Sequence, residues 1–320
     1  MWRINFRRML GLSLVVGGLL QILTSPAQAF DWPRKLSIGD RGRQVKQLQM
    51  RVAGWYPSRK HTRFAIDGAY GNQTAVAVER FENHYGLGRP NGAANRKTFR
   101  ILERLVDGDG STEHFDWSEF RQHSNSSCSA QANAYAGTFN GGSVSPNRTK
   151  RNVRRLMWRL EALRAKAGAN PIGINSGFRS VPYNRCIERA SASQHQYGTA
   201  ADNRVSGITN SKARKIARRT QFSGIICYSN TTHNHLDLRL ENRALSSSQS
   251  WWWPRKDSSH RELDDGGRPC WGETGGSAAA SASLSAVRSA TPGVGSLVPT
   301  TAEVRAFEEA GEPSDLEGSD

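Results

Sequence analysis

Four ionisable side chains in two short segments constrain most tightly how this chain can fold. His195 and Asp202 stand in Ser193-Gln194-His195-Gln196-Tyr197-Gly198-Thr199-Ala200-Ala201-Asp202, and His233 and His235 stand in His233-Asn234-His235-Leu236-Asp237. No other histidine lies between the two segments. A zinc ion that does chemistry is commonly held by three ligands from the His, Asp, Glu and Cys set, with one position left for water. A fold that brings the two segments together would make such an open site, and a hydrolase whose nucleophile is a water on the metal. Read as a strand, His233–Arg239 puts His233, His235, Asp237 and Arg239 on one face and Asn234, Leu236 and Leu238 on the other. The first segment is rich in small residues and includes Gly198, so it suits a loop or bend rather than a long helix.

The N-terminus points out of the cytoplasm. Arg3, Arg7 and Arg8, the apolar run Met9–Ile22 and then Ala27-Gln28-Ala29 have the form of a secretory signal peptide over residues 1–29. The run is short against the about 20 residues a spanning helix needs. The chain should therefore meet the membrane only during export, with Arg7-Arg8 also suiting a twin-arginine route. The mature protein, starting near Phe30, is expected to be secreted, periplasmic or associated with the cell wall. Cys128, Cys186, Cys227 and Cys270 are even in number and widely spaced, and read as two disulfides rather than a cysteine-rich metal site. Three pairings are possible, with Cys128–Cys186 and Cys227–Cys270 preferred.

A formal net charge of +16 draws such a chain toward polyanions. For an exported protein these are cell-wall polymers and anionic lipid surfaces, and no nucleic-acid-binding module is present. Much of the charge lies on the helical stretches Arg148–Lys166 and Lys212–Arg219, where a solvated basic face explains it equally well.

Residues 30–106 make a first unit with an internal repeat. Asp67-Gly68-Ala69-Tyr70-Gly71-Asn72-Gln73-Thr74 recurs as Asn91-Gly92-Ala93-Ala94-Asn95-Arg96-Lys97-Thr98. Asn95 replaces Gly71, as asparagine can where glycine adopts a left-handed conformation, and each repeat ends in a threonine suited to cap a helix. Val78 and Phe81 follow the first repeat and Phe99, Leu102 and Leu105 the second, while Val45, Leu48 and Val52 make a third stripe, which predicts three short helices. Residues 107–114 read as a linker. Residues 115–272 mix helices and strands without regular alternation, so the class is α+β. Their clearest helix carries Val153, Leu156, Met157, Leu160 and Leu163, ended by Gly168 and Pro171. Residues 273–320, rich in small residues and then in acids, are expected to be disordered.

Both units resemble known families. Leu36-Ser37-Ile38-Gly39-Asp40-Arg41-Gly42, Val45, Leu48-Gln49, Asp67-Gly68, Tyr70-Gly71, Thr74, Ala77-Val78, Phe81 and Tyr85-Gly86-Leu87 resemble the peptidoglycan-binding domain of cell-wall hydrolases. Ser176-Gly177-Phe178-Arg179-Ser180, Asn184, Ser193-Gln194-His195, Gly198, Ala200-Ala201-Asp202 and His235-Leu236-Asp237-Leu238-Arg239 resemble zinc D-Ala-D-Ala carboxypeptidases and their peptidoglycan endopeptidase relatives. The resemblance implies an enzyme on peptidoglycan stem peptides, with Zn2+ held by His195, Asp202 and His235. Arg179 would pair with a substrate carboxylate, which suits a planar fork of donors, although a bond to a carboxylate such as Glu188 could instead pin its loop. His233 would stabilise the transition-state oxyanion. A wall-binding protein with a structural zinc site is the rival reading.

One departure stands out. The family commonly places a glutamate or aspartate shortly before the last ligand as proton acceptor, yet Asn203 to Asn234 contains no acid. Ser229 or Thr232 falls there instead, and a hydroxyl is no comparable base near neutral pH. Asp237 or His233 would have to serve, or catalysis would be weak or absent. Trp251-Trp252-Trp253 offers either a sugar-stacking surface or a hydrophobic closure of the domain.

Overall fold

The computed structural model describes residues 30–57, 63–188, 193–229, 233–239, 251–264 and 266–270. Residues 1–29, read as a signal peptide, residues 273–320 and Thr232 lie outside these residues. No helix of the described residues is long and apolar enough to cross a membrane.

The N-terminal unit contains β1 (Lys35–Leu36), α1 (Arg43–Val52), α2 (Asn72–His84), β2 (Ala94–Asn95) and α3 (Arg96–Arg104). The three helices match the three apolar stripes. Sequence periodicity did not show that Leu36 pairs with Ala94, and Lys35 with Asn95, in a short antiparallel ladder.

The repeat is structural, but its parts act differently from the expectation. Gly71 and Asn95 are both extended, with φ of −103° and −134°, and they are the N-caps of α2 and α3. The left-handed residues are Gly68 and Gly92, with φ of 79° and 71°. In each repeat the preceding side chain closes the turn: Asp67 accepts from the Ala69 amide and Asn91 from the Ala93 amide. The threonines lie inside the first helical turn. Thr98 accepts from the Asn95 amide and completes a capping box with the Asn95 side chain. Buried Gln49 ties the first repeat to α1, donating to Asp67, the Ala69 carbonyl and Thr74 while accepting from the Gly68 amide.

Residues 107–114 are folded against their neighbours. The Asp107 amide donates to the Ser111 carbonyl and the Glu113 amide to the Leu105 carbonyl. His114 is held by Glu161, which accepts from its backbone amide at 3.0 Å and lies 2.9 Å from its Nδ1.

The C-terminal unit opens with a single 3-10 turn over Trp117–Phe120 and the long α4 (Pro146–Lys166), which starts at the Ser145 cap. Then come β3 (Ile172–Ser176), α5 (Val181–Ile187), β4 (Ala200–Val205), α6 (Asn210–Ala217), β5 (Gly224–Cys227) and β6 (Asn234–Asp237). A small ladder of β7 (Arg255–Lys256) with β8 (Glu262–Leu263) closes the described chain. The main sheet is antiparallel throughout, in the order β3-β4-β6-β5, and the class is α+β as read from sequence. The segment expected to be a loop divides into a 3-10 turn at Gln194–Tyr197 and the inner strand β4. Ala200 and Ala201, small on both faces, let β4 pass through the middle of the core.

Two cores meet on α4. Val153, Leu156, Met157, Leu160 and Leu163 pack with Phe115, Phe120, Phe178, Leu236 and the rest of the C-terminal core. Trp158 and Ala162, on another face, belong to the N-terminal core beside Leu48, Trp55 and Phe81. Polar contacts follow the same seam: Arg159 donates to the Met50 carbonyl at 3.1 Å, Lys166 to the Gly54 carbonyl at 2.6 Å, and the Phe64 amide to Gln221 at 2.9 Å.

The disulfides are Cys128–Cys186 and Cys227–Cys270, the preferred pairing. The tryptophan run closes the domain. Trp251 is buried, Trp252 bridges to Gly224, and Trp253 donates to the Phe222 carbonyl at 3.1 Å.

Trp158 is 2% exposed. Its replacement by alanine should cost about 3–5 kcal/mol in denaturant unfolding, the usual range for a buried large aromatic. A second prediction concerns His123, which stacks on Tyr183 and accepts from the Ser180 amide at 3.2 Å. Burial, helped by the Arg179 charge, lowers its pKa to about 4. The unfolded chain then binds the extra proton between about pH 6.5 and 4, so this contribution is complete above pH 6.5 and lost as pH falls toward 4. Nearby Glu119, raised to about 7 mainly by burial, slopes the opposite way. The stability of His123→Gln relative to wild type should therefore rise by about 1–3 kcal/mol as pH falls through this window, measured by denaturation at each pH.

Candidate metal centre

Sheet register builds the centre. Asp202 on β4 stands directly opposite His235 on β6, and the neighbouring β3–β4 register sets Ser176 against Asp202. The 3-10 turn before β4 brings His195 to the same place. His195 Nε2, Asp202 Oδ1 and His235 Nδ1 converge, with separations of 3.1 Å between the histidines, 3.1 Å from His235 to Asp202 and 3.4 Å from His195 to Asp202. All three side chains are buried.

The donor set fits zinc. Metal–ligand bonds of about 2.0–2.1 Å in a tetrahedron put ligand atoms roughly 3.3 Å apart, close to the separations found. Each histidine also has its other nitrogen engaged, as metal-ligating imidazoles almost always do. His195 Nδ1 donates to the Gly177 carbonyl at 2.6 Å. His235 Nε2 donates to Asp237 Oδ2 at 3.1 Å. Both rings are thus oriented with a free nitrogen toward Asp202.

The electrostatics follow from burial and mutual contact. Burial alone would raise the Asp202 carboxyl, but the two histidines drive it well below the usual carboxylate range. Burial would lower His235, yet its bonds to Asp202 and Asp237 outweigh this and push it up to about 9. His195 is lowered, by burial and then by the Arg179 charge.

Asp237 does not occupy the place expected of a base. It meets His235 at Nε2, the nitrogen turned away from Asp202 and His195, and it is fully buried with Arg239 Nε 3.2 Å from its other oxygen. The backbone of β5 crosses so close that a Cβ on Gly224 would fall 1.9 Å from Asp237 Oδ2. No room for substrate remains there, so Asp237 orients a ring. Ser229 is engaged by Asp264.

His233 precedes β6 and is absent from the converging group. It is half-buried beside Tyr228, whose ring centre lies 5.6 Å from its own and 6.5 Å from that of His235. Burial lowers the His233 pKa below the usual value. Arg179 lies within the centre: Nε donates to Ser176 Oγ at 2.8 Å, Nη2 to Asp202 Oδ2 and Nη1 to Glu188 Oε1. The two readings of Arg179 thus meet in one geometry, with its loop pinned by Glu188 and its fork beside a ligand carboxylate. Tyr228 was missed from sequence. It stands just after β5 in no motif, and only the β5–β6 register, with Cys227 opposite Asn234, carries it to His233.

Removing the acceptor behind His235 tests this reading of Asp237. Asp237→Ala should weaken zinc binding about 10- to 100-fold in competition with a chelating dye, while Asp237→Asn, which keeps an acceptor, should lose less.

Residues 125–237 match the Peptidase M15 family model, and residues 41–102 match that described as "Putative peptidoglycan binding domain". The zinc D-Ala-D-Ala carboxypeptidase of Streptomyces albus G is 39% identical over 173 residues, covering 54% of this chain and 62% of that protein. The chain thus spans somewhat less than two thirds of this relative. Among solved structures, the N-terminal domain of SleB aligns at 30% identity over 23% of this chain and 93% of that one, with a TM-score of 0.19.

Proposed function

We propose that this protein, whose residues 125–237 match the Peptidase M15 model and residues 41–102 a peptidoglycan binding domain model, is a wall-anchored zinc metallopeptidase that hydrolyses amide bonds in peptidoglycan stem peptides. The observation that carries this reading is the convergence of His195 Nε2, Asp202 Oδ1 and His235 Nδ1 at 3.1–3.4 Å, with each histidine backed by an acceptor. Its site of action is outside the cytoplasmic membrane, where the wall polymer lies.

His195, Asp202 and His235 would hold the zinc ion, which when bound would supply a water of pKa about 7 and a Lewis acid for the substrate carbonyl. The chain's own groups do the rest. Gly177 and Asp237 fix the ring orientations of His195 and His235. His233, neutral near pH 7 because burial disfavours its cation, can donate a hydrogen bond to the oxyanion that develops on the substrate carbonyl, or accept a proton at its free nitrogen. Arg179 holds Asp202 through Oδ2 and leaves Oδ1 for the metal.

Carboxypeptidase action is what the Streptomyces relative is named for. In this chain it would require Arg179 to receive a terminal carboxylate. Cleavage of cross-links is the second reading, favoured by the engagement of Arg179 with both Asp202 and Glu188.

Zinc-loaded mature protein should release new muropeptides from peptidoglycan, detected by mass spectrometry. Free D-alanine would mark carboxypeptidase action and loss of cross-links an endopeptidase. Absence of any cleavage would sink the enzymatic reading. Wall binding that survives in His195→Ala, with the wall phenotype intact, would favour the structural-zinc rival. His233→Ala should keep its zinc and lose about 10²- to 10³-fold in kcat, the usual cost of one oxyanion donor.

A further inference from the structure

Every nitrogen of the Arg179 guanidinium has a partner, and the partners differ in how freely they can leave. Ser176, at the end of β3, takes Nε at 2.8 Å. Asp202 takes Nη2, is buried in the sheet, and offers its other oxygen to the two histidines. Glu188 takes Nη1 from just beyond α5, and its side chain is 31% exposed against 5% for Arg179. Glu188 is thus the more solvent-exposed of the two carboxylates that hold Arg179.

Glu188 is also well placed to stay there. Cys186, two residues earlier, is bonded to Cys128, and the Glu188 amide donates to the Asn184 carbonyl at 2.9 Å. Its charge extends to the mouth of the centre, where it acts on both Tyr228 and His233. One guanidinium is thus shared by two carboxylates before any substrate arrives. A third carboxylate would have to replace Glu188 on Nη1 and then lie close to its displaced negative charge. An uncharged amide at the same place meets no such repulsion.

We propose that Glu188 is a specificity-determining residue. It occupies the outward side of Arg179, so the centre disfavours substrates with a free carboxylate next to the scissile bond. It selects those in which that position is amidated or continues into further chain. This rests on the zinc-peptidase reading above and names which bond that centre prefers.

The probes are N-acetyl-D-alanyl-D-alanine and its C-terminal amide, offered to the zinc-loaded full chain. The kcat/KM ratio of amide to acid should favour the amide in wild type. It should shift toward the acid by about 10-fold or more in Glu188→Gln, since a charge-assisted hydrogen bond and a like-charge repulsion are removed together. Glu188→Asp, which keeps the charge, should retain most of the wild-type preference. Calorimetric binding of the same two dipeptides in the slow His233→Ala background, with and without Glu188→Gln, gives the ratio independently of turnover and should shift likewise. A wild type that already prefers the acid, a ratio unmoved by Glu188→Gln, or no binding of either dipeptide overturns the proposal. If neither dipeptide is cleaved but the binding ratio shifts as expected, the peptidase reading fails while the role of Glu188 stands.

Discussion

The pairing of β4 with β6, which sets Asp202 opposite His235, is the constraint on which the centre depends. Side chains alternate along a strand, so a slip of one residue would send one of these two to the opposite face of the sheet. The register is held from both faces. Leu236 lies opposite Ala201 and fills the apolar side, packed with Phe178, Ile225 and α4. Asp237 lies opposite Ala200 and Gly224, where only very small residues leave room for a carboxylate behind the His235 ring. Apolar packing and polar chemistry therefore specify the same register, and His195, Asp202 and His235 converge with only the 3-10 turn at His195 lying outside the strands.

The same economy joins the two units. Apolar side chains on one face of α4 enter the C-terminal core, while Trp158 and Ala162 complete the core of the N-terminal unit. A tether would leave each unit with its own closed core. Here Trp158 would be exposed if the first unit were removed, and Arg159, buried and lowered to about 9 by desolvation and neighbouring charge, would lose the Met50 carbonyl. The geometry is that of a continuous interior rather than of two bodies on a string. If the first unit binds the wall, as proposed, it would then also fix the orientation of the β3-β4-β6-β5 sheet.

Much of this was legible in the residues, for identifiable reasons. Helical periodicity in Val45–Val52, Val78–Phe81, Phe99–Leu105 and Val153–Leu163 located the main helices, because an apolar stripe has few other uses. The converging residues could be named because His195, Asp202 and His235 belong to motifs whose chemistry restricts residue type. What escaped depended on tertiary context. Gly71 and Asn95 looked like left-handed positions, but the left-handed glycines are Gly68 and Gly92, and a cap and a turn draw on the same small and polar residues. Residues 193–202 read as a loop or bend because they are rich in small residues, yet Ala200 and Ala201 begin the inner strand β4, where both are fully buried. Asp237 shares a face with His235, as alternation required, yet sharing a face does not reveal which nitrogen of a ring is met.

That last distinction bears on the acid missing between Asn203 and Asn234. A carboxylate that serves as base would have to stand on the side of His195, Asp202 and His235 that substrate can reach. Asp237 stands on the closed side, and Ser229 is turned to Asp264. Among the described residues, His233 and Tyr228 lie beside this group of three, as do Arg179 and Glu188, and Tyr228, raised by burial and by surrounding acids, keeps its proton. A phenol that stays protonated can donate a hydrogen bond but cannot serve as the base. Our proposal that His233 can accept a proton rests on its place beside Tyr228 and on a ring nitrogen that carries a lone pair when the imidazole is neutral. The centre would trade a carboxylate for an imidazole, which adds no negative charge beside Asp202 and Glu188, where two carboxylates already share a single guanidinium.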